Sequence, residues 1–213
     1  MAKITKVKET KRGKLAVFLD GSFWESFDPG FARDKGLAEG RELSQLELAK
    51  IESESRYLRA YERALIFLSY RPRSVREVKK KLIEAGYSDG ESENAISRLT
   101  AAGYLDDVQF ARDWITSRAS GKYYGRRRLK SELVARGVAS DIVDEQLAEV
   151  CSDSEEERRA FEAAKIKLQK MAVADKDATK RRLIAYLLRR GYNSAIALRV
   201  SKALLDSPSE ANE

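Results

Sequence analysis

The sequence predicts a mainly α protein: tandem three-helix repeats forming an elongated, curved body, preceded by a small N-terminal β-hairpin or three-stranded segment. Three observations lead there. Helix breakers are scarce, with only Pro29, Pro72 and Pro208 in 213 residues. One phrase recurs three times along the chain. Before residue 30 the apolar residues instead alternate with a period of two, as in a strand.

The β segment comes first. Leu15, Val17 and Leu19 alternate with Ala16 and Phe18. Asp20-Gly21 follows, a pair that tolerates positive φ at both positions of a two-residue hairpin turn. Ser22 to Phe27 is aromatic and reads as the partner strand, and Ile4 to Glu9 adds a third across Lys11-Arg12-Gly13. So small a sheet should dock on a helix or wait for a partner. Pro29 to Lys35 reads as a short helix ended by Gly36. Ser44-Gln45-Leu46-Glu47 has the spacing of a capping box, opening a long helix with an apolar stripe of Ile51, Leu58, Tyr61, Leu65 and Leu68. Pro72 stops that helix.

The repeat follows. Leu82-Ile83-Glu84-Ala85-Gly86-Tyr87, Leu133-Val134-Ala135-Arg136-Gly137-Val138 and Leu187-Leu188-Arg189-Arg190-Gly191-Tyr192 place their glycines 51 and 54 residues apart. Four before each leucine stand Val78, Leu129 and Leu183. Eight before stand Ser74, Gly125 and Thr179, all N-cap types. Each segment therefore reads as a helix with an apolar i, i+4 face and a glycine C-cap. A first helix precedes each: Ala60 to Tyr70, Asp107 to Ala119 and Glu155 to Met171, the latter two opened by Asp106…Gln109 and Ser154…Glu157. A third helix follows, pinned by Leu99, Val150 and Leu204. Tyr104 and Leu105 are expected in the core. The resulting divisions are 1–43 (β segment and short helix), 44–59 (connecting helix), 60–103, 104–152 and 153–205 (repeats one to three) and 206–213 (tail).

Composition narrows the chemistry. There is no histidine, which removes the commonest general base and metal ligand, and the one cysteine, Cys151, excludes an intramolecular disulfide and a multi-cysteine metal cluster. Cys151 reads as a small buried apolar residue. No cofactor is called for: the glycine-rich stretch Gly30 to Gly36 lacks the Gly-Lys-Ser/Thr ending of a nucleotide loop. The apolar run Ala64 to Leu68 is far below the roughly 18 residues of a membrane span. Met1 to Lys6 leads into alternating polar residues and not an apolar signal core, so a cytoplasmic protein is expected; a monomer is also expected.

The formal charge is +7, and it is uneven. The windows 71–82, 118–136 and 180–190, around the middle helices, together hold 18 basic and two acidic residues, which leaves the rest of the chain at −9. The candidate binding residues are Arg71, Arg73, Arg76, Lys79 and Lys80; Lys122, Tyr123, Tyr124, Arg126, Arg127, Arg128 and Lys130; and Arg181, Arg182, Arg189 and Arg190. Basic groups beside tyrosines suit phosphate and base contacts. A solvated helix face is the competing reading of any one cluster; recurrence on three equivalent helices favours an anion-binding surface. A helix-turn-helix transcription factor would carry this charge on its last helix. Here 140–150 holds four acidic residues and no basic one.

Several phrases resemble the RecX family: Phe18-Leu19-Asp20-Gly21 with Gly40-Arg41-Glu42-Leu43; Leu68-Ser69-Tyr70-Arg71-Pro72-Arg73-Ser74 with Glu77-Val78; Gly103-Tyr104-Leu105-Asp106-Asp107 with Phe110-Ala111; and Gly125-Arg126-Arg127 with Leu129 and Leu133. The resemblance runs from about Ile4 to Leu205. It implies a protein without catalytic residues. Such a protein binds RecA and the RecA–DNA filament and modulates, mostly by inhibition, its ATPase, strand-exchange and co-protease activities. It also implies weak, non-specific contact with single- or double-stranded DNA. A DNA-binding protein acting without RecA is the alternative.

The fixed repeat spacing predicts a particle longer than a compact sphere of this mass. A small-angle scattering profile should show it; a profile fitting a compact globule refutes it.

Overall fold

The computed structural model of the protein describes residues 1–171 and 175–206. Of the expected tail, 206–213, Asp206 is the last residue of the final helix and the rest lies outside the described residues. The elements in chain order are β1 (Ala2–Glu9), β2 (Leu15–Leu19), β3 (Ser22–Phe27), α1 (Pro29–Asp34), β4 (Glu42–Leu43), α2 (Gln45–Tyr70), α3 (Val75–Glu84), α4 (Asp89–Ala101), α5 (Asp107–Lys122), α6 (Arg126–Ala135), α7 (Ser140–Val150), α8 (Asp153–Gln169), α9 (Lys176–Arg189) and α10 (Ser194–Asp206). The chain divides into two compact units, one formed by 1–70 with 79–102, the other by 71–78 with the residues from 103 on.

In the first unit the sheet is antiparallel, in the order β3-β2-β1-β4. Asp20 and Gly21 both take positive φ, 47° and 84°, as the hairpin turn requires. The sheet has four strands where the sequence suggested two or three. The extra strand, β4, is two residues long, too short for any periodicity to show; it pairs Leu43 with Ala2 and Glu42 with Lys3. The docking helix is α2. Ile4, Val17, Phe27 and Leu43 bury against Ala32, Leu37, Leu48 and Ile51. Trp24 Nε1 donates to Glu52 at 2.7 Å, and Arg59 pairs with Glu25.

Helix α2 opens with the expected capping box. Ser44 N donates to Glu47 Oε2 at 2.9 Å, and Glu47 N donates to Ser44 Oγ at 3.2 Å. It then runs unbroken through residue 60. Its buried line is Leu48, Ile51, Ser55, Ala60 and Ala64; of the expected stripe only Ile51 lies on it, while Leu58, Tyr61, Leu65 and Leu68 stay half-buried. Alanines there let the helix come close to Ala95 and Leu99 of α4, both fully buried.

In the second unit α5, α6 and α7 enclose Phe110, Ile115, Leu129, Leu133, Val143 and Cys151, while α8, α9 and α10 enclose Ala160, Ala163, Leu183, Leu187, Tyr192 and Ala197. The repeat register is plain in burial: Val78, Leu129 and Leu183, and Leu82, Leu133 and Leu187, are all 0% exposed. Gly86, Gly137 and Gly191 take φ of 90°, 87° and 90°. Cys151 is buried, and burial pushes its thiol up.

Three local readings are corrected. Helix α8 is capped by Ser152, whose Oγ accepts from Glu155 N at 3.3 Å, and not by Ser154. Helix α9 starts four residues early on Asp175, which accepts from Ala178 N at 2.7 Å, so Thr179 lies buried inside the first turns, its hydroxyl donating to Asp175 O. In both cases the earlier side chain wins because the helix gains length without losing its cap. Tyr104 is 59% exposed; only Leu105 enters the core.

Glu91 is the pivot of the α2–α4 packing. It completes the capping box with Ser88, whose backbone N–H donates to it at 2.8 Å, and it pairs with Arg56 of α2. The Arg56 guanidinium, against the cost of burial, holds its carboxyl down to about 2. A depressed carboxylate stabilises the fold above its ordinary pKa of 4.5, and that contribution is lost as pH falls from there toward 2. Glu91→Gln should therefore lower the denaturant midpoint at pH 7, and the gap to wild type should close near pH 2. A gap that persists at pH 2 would show that charge is not what Glu91 contributes.

Candidate functional site

The middle helices α3, α6 and α9 carry the candidate residues, and within the second unit they meet end to end. Gly125 N, at the start of α6, donates to Arg190 O at the end of α9 (2.9 Å), and Arg127 N donates to Gly191 O (3.1 Å). One repeat earlier, Ser74 Oγ at the start of α3 donates to Arg136 O at the end of α6 (2.6 Å). Each junction has a second matched bond. An acid on the next repeat's first helix accepts from the residue after the cap: Asp107 from Val75 N, and Glu156 from Arg126 N, both at 2.9 Å. Orphan N–H groups of one helix and orphan carbonyls of another are thus satisfied together.

The approach is close enough to demand glycine. A Cβ on Gly125 would lie 2.6 Å from the Gly191 carbonyl, one on Gly191 would strike Arg128, and one on Gly137 would strike the Arg76 side chain. Gly86, whose helix end meets no such neighbour, has open space.

Along these junctions runs a ladder of cations, rings and carboxylates. Tyr124 lies between Arg128, 3.9 Å from its ring centre, and Arg190, 5.7 Å away. Arg128 Nε donates to Glu132 at 3.1 Å, and Trp114 Nε1 donates to the other Glu132 oxygen at 3.2 Å. Trp114 is flanked by Arg136 at 4.0 Å and Arg118 at 4.4 Å. Arg136 pairs with Glu77, which Arg71 grips with two bonds of 3.0 and 3.2 Å. Burial opposes ionisation of Glu77, but Arg71 and Arg136 keep its carboxyl below the usual range. Contacts of this kind contribute about 0.5–2 kcal/mol each when part-buried.

The candidate residues therefore divide. Arg126 is held inside by Cys151 O, Asp153 (2.8 Å) and Glu156. Arg71, Arg128 and Arg190 are rungs of the ladder, the last also donating to Lys122 O. Tyr124 stacks between guanidiniums, and Tyr123, in a left-handed conformation at φ 49°, accepts from the buried Tyr192 hydroxyl at 2.9 Å. Lys79 is shared between Asp89 (3.0 Å) and Glu93 (2.8 Å), Lys80 lies 3.8 Å from Glu84, and Lys130 binds Asp144 at 2.6 Å. Arg73 is half-buried.

Arg76, Lys122, Arg127, Arg181, Arg182 and Arg189 are exposed, and among the described residues their side chains make no hydrogen bond or ion pair. Three of them are equivalent. Arg76, Arg127 and Arg181 each stand two residues after the repeat positions Ser74, Gly125 and Thr179.

Sequence reasoning passed over Trp114, Glu132, Arg136 and Glu77, which join the repeats; Trp114 in the middle of α5 was the available signal. It also passed over Arg159, 8% exposed, whose Nε and Nη2 make no hydrogen bond among the described residues, although Glu155 lies 4.0 Å from Nη1.

Comparison with known proteins now decides the family. The family models described as "RecX, first three-helix domain" and "RecX, second three-helix domain" match residues 60–99 and 106–147. The regulatory protein RecX of Mycobacterium ulcerans is 36% identical over 64% of this chain and 79% of its own length. The chain belongs to the RecX family.

The RecX of Lactobacillus johnsonii is 38% identical over 72% of this chain, a match spanning 56% of that longer protein. A crystal structure of regulatory protein RecX shares the fold with a TM-score of 0.75 at 21% identity, covering 95% of this chain and all of that one; the RecX of Lactobacillus salivarius does so at 0.64 and 19%, covering 70% of this chain and 96% of its own. The two RecX family domains correspond to the later part of α2 with α3 and α4, and to α5–α7. Helices α8–α10 repeat the plan. Among the described residues no helix is long and apolar enough to cross a membrane.

The junctions give a graded test. Gly86→Ala should cost about 1–2 kcal/mol, the strain of a left-handed residue alone. Gly191→Ala adds the collision with Arg128 and should cost roughly 3 kcal/mol or more. Equal losses in chemical unfolding would mean that the junction is slack.

Proposed function

We propose that this chain regulates RecA: it binds RecA and its DNA filament in the cytoplasm, as a monomer, and mostly inhibits ATP hydrolysis, strand exchange and co-protease activity. Membership of the RecX family supports a regulatory role. The observation that carries the mechanism is the equivalence of Arg76, Arg127 and Arg181 on middle helices joined end to end, exposed and free of internal partners among the described residues. A filament offers phosphate and acidic protein groups at regular intervals. A row of equivalent arginines matches a periodic partner, and linked weak contacts act intramolecularly, so they sum to tight binding. The starts of α3 and α6 are already occupied by carbonyls and carboxylates, so anions are met from the side of these helices and not at their ends. A chain lying across neighbouring RecA subunits hinders the movements that hydrolysis and exchange require.

The test is Arg76→Ala with Arg127→Ala and Arg181→Ala. The concentration needed to inhibit RecA's ATPase should rise about tenfold or more, and the salt dependence of binding should flatten by about two to three contacts. Lys130→Ala, whose charge Asp144 already neutralises, should change little. Unchanged inhibition by the triple variant at low and physiological salt overturns the arginine row. Inhibition that disappears when RecA is offered free of DNA, with DNA binding intact, favours the alternative in which the protein acts through DNA alone.

A further inference from the structure

A further group of uncommitted charge lies outside the repeats. Residues 1–14 contain six basic side chains and one acidic one. Lys3, Lys6, Lys8, Lys11, Arg12 and Lys14 make no side-chain hydrogen bond or ion pair among the described residues. The contrast with α3 and α6 is sharp, where most of the cations are neutralised by a neighbour.

Strand register puts part of this charge beside aromatic rings. Lys6 stands opposite Phe18, and Phe18 opposite Phe23. Residues directly opposed across an antiparallel pair share a face, so one row across the sheet reads Lys6, Phe18, Phe23. The next row on that face is Lys8, Ala16, Ser26. The opposite face sends Val7, Val17 and Phe27 into the core, a cluster that includes neither Phe18 nor Phe23.

The two outer rings meet edge to face, 5.7 Å apart at 74°, and Phe23 is 60% exposed. A bulge puts it there. Phe23 and Phe27 are four apart and would share a face in a regular strand. The register shift between Val17 and Phe18 leaves Trp24 as the extra residue. It turns Trp24 inward, 4.9 Å from Phe27, and Phe23 outward. Beyond the second row the β1–β2 turn presents Lys11 and Arg12, both exposed.

We propose that this outer sheet face binds single-stranded nucleic acid, with Phe23 and Phe18 stacking on bases and Lys6, Lys8, Lys11 and Arg12 meeting phosphates. An exposed ring, Phe23, backed by the half-buried Phe18 and flanked by lysines, is the combination that an unpaired strand requires, since each base offers a face to stack on. A duplex hides those faces and would use the lysines alone. An acidic peptide would use the lysines and leave Phe23 idle. The surface belongs to the first unit and is separate from the arginine row, and its binding does not depend on RecA.

The experiment is fluorescence anisotropy of the full chain with a labelled oligothymidylate of about 20 nucleotides, without RecA. Phe23→Ala should weaken binding about five- to hundredfold, while Phe23→Tyr, which keeps a ring, should retain most of it. Lys6→Glu with Lys8→Glu should flatten the salt dependence by about one to two contacts. Affinity for a duplex of the same length should respond to the lysines and not to Phe23→Ala. Unchanged oligothymidylate binding by Phe23→Ala overturns the proposal, as does equal loss with Phe23→Ala and Phe23→Tyr. Intact oligonucleotide binding with loss of RecA capture would make the face a protein contact and equally overturn it. Because RecA is absent from the main titration, failure here leaves the regulatory reading standing, and failure of RecA inhibition leaves this site standing.

Discussion

The second unit depends on one contact made twice: the start of a middle helix receiving the carbonyl end of the next. Helix ends carry unpaired N–H and C=O groups that must find partners when they are covered. Here they find one another. Gly125 N meets Arg190 O, Ser74 Oγ meets Arg136 O, and a carboxylate from the following repeat, Asp107 or Glu156, takes the neighbouring N–H. This explains why the recurring phrase ends in glycine. Positive φ alone would account for Gly86; at Gly137 and Gly191 the absent Cβ is also the space into which the preceding repeat fits. One residue type thus serves the cap and the junction together.

Much of this was legible in the sequence. Fixed glycine spacing with buried Val78, Leu129 and Leu183 in register gave the helical units, because a 3.6-residue period and a glycine stop are strong local signals. The hairpin was legible for the same reason, Asp20-Gly21 having few alternatives. What failed was whatever depends on contacts distant in sequence. The β4 strand exists only because Leu43 meets Ala2. The buried line of α2 follows what α4 requires, so Ala60 and Ala64 replace the bulkier residues that hydrophobicity alone would choose. Thr179 has the chemistry of a cap, but Asp175 reaches the same amides from a longer helix.

The candidate site was half legible, and the reason is physical. A cluster of arginines in a sequence does not say whether its charge faces water or a partner within the chain. Arg126 and Arg128 sit beside Arg127 in the same run, yet the first is locked onto Cys151, Asp153 and Glu156 and the second stacks on Tyr124. Only the middle one is left outside. Helical geometry makes this ordinary: consecutive residues lie about 100° apart, so a run of three cannot share a face. Tyr123 and Tyr124 mislead in the same way. Beside a basic run they suggest base stacking, but the Tyr123 ring packs against the core of α8–α10 and Tyr124 lies between two guanidiniums.

Two uses of positive charge therefore coexist in one protein, and they differ in their response to salt. Apart from the exposed Arg71, the rungs of the ladder are part-buried, held by rings and backbone carbonyls as well as by carboxylates, and such contacts are screened weakly. The arginines left outside, and the lysines of the N-terminal sheet, meet any partner through solvent-exposed charge, which is screened within about 8–10 Å at ordinary ionic strength. Raising salt should then strip a bound anion while the junctions hold. On the proposed function, in which the partner is a polyanion, that separation lets ionic conditions set release without loosening the repeats. It also makes Arg127 more informative than its neighbours. Substituting Arg126 or Arg128 removes a charge and a structural tie at once, whereas Arg127 tests the surface alone.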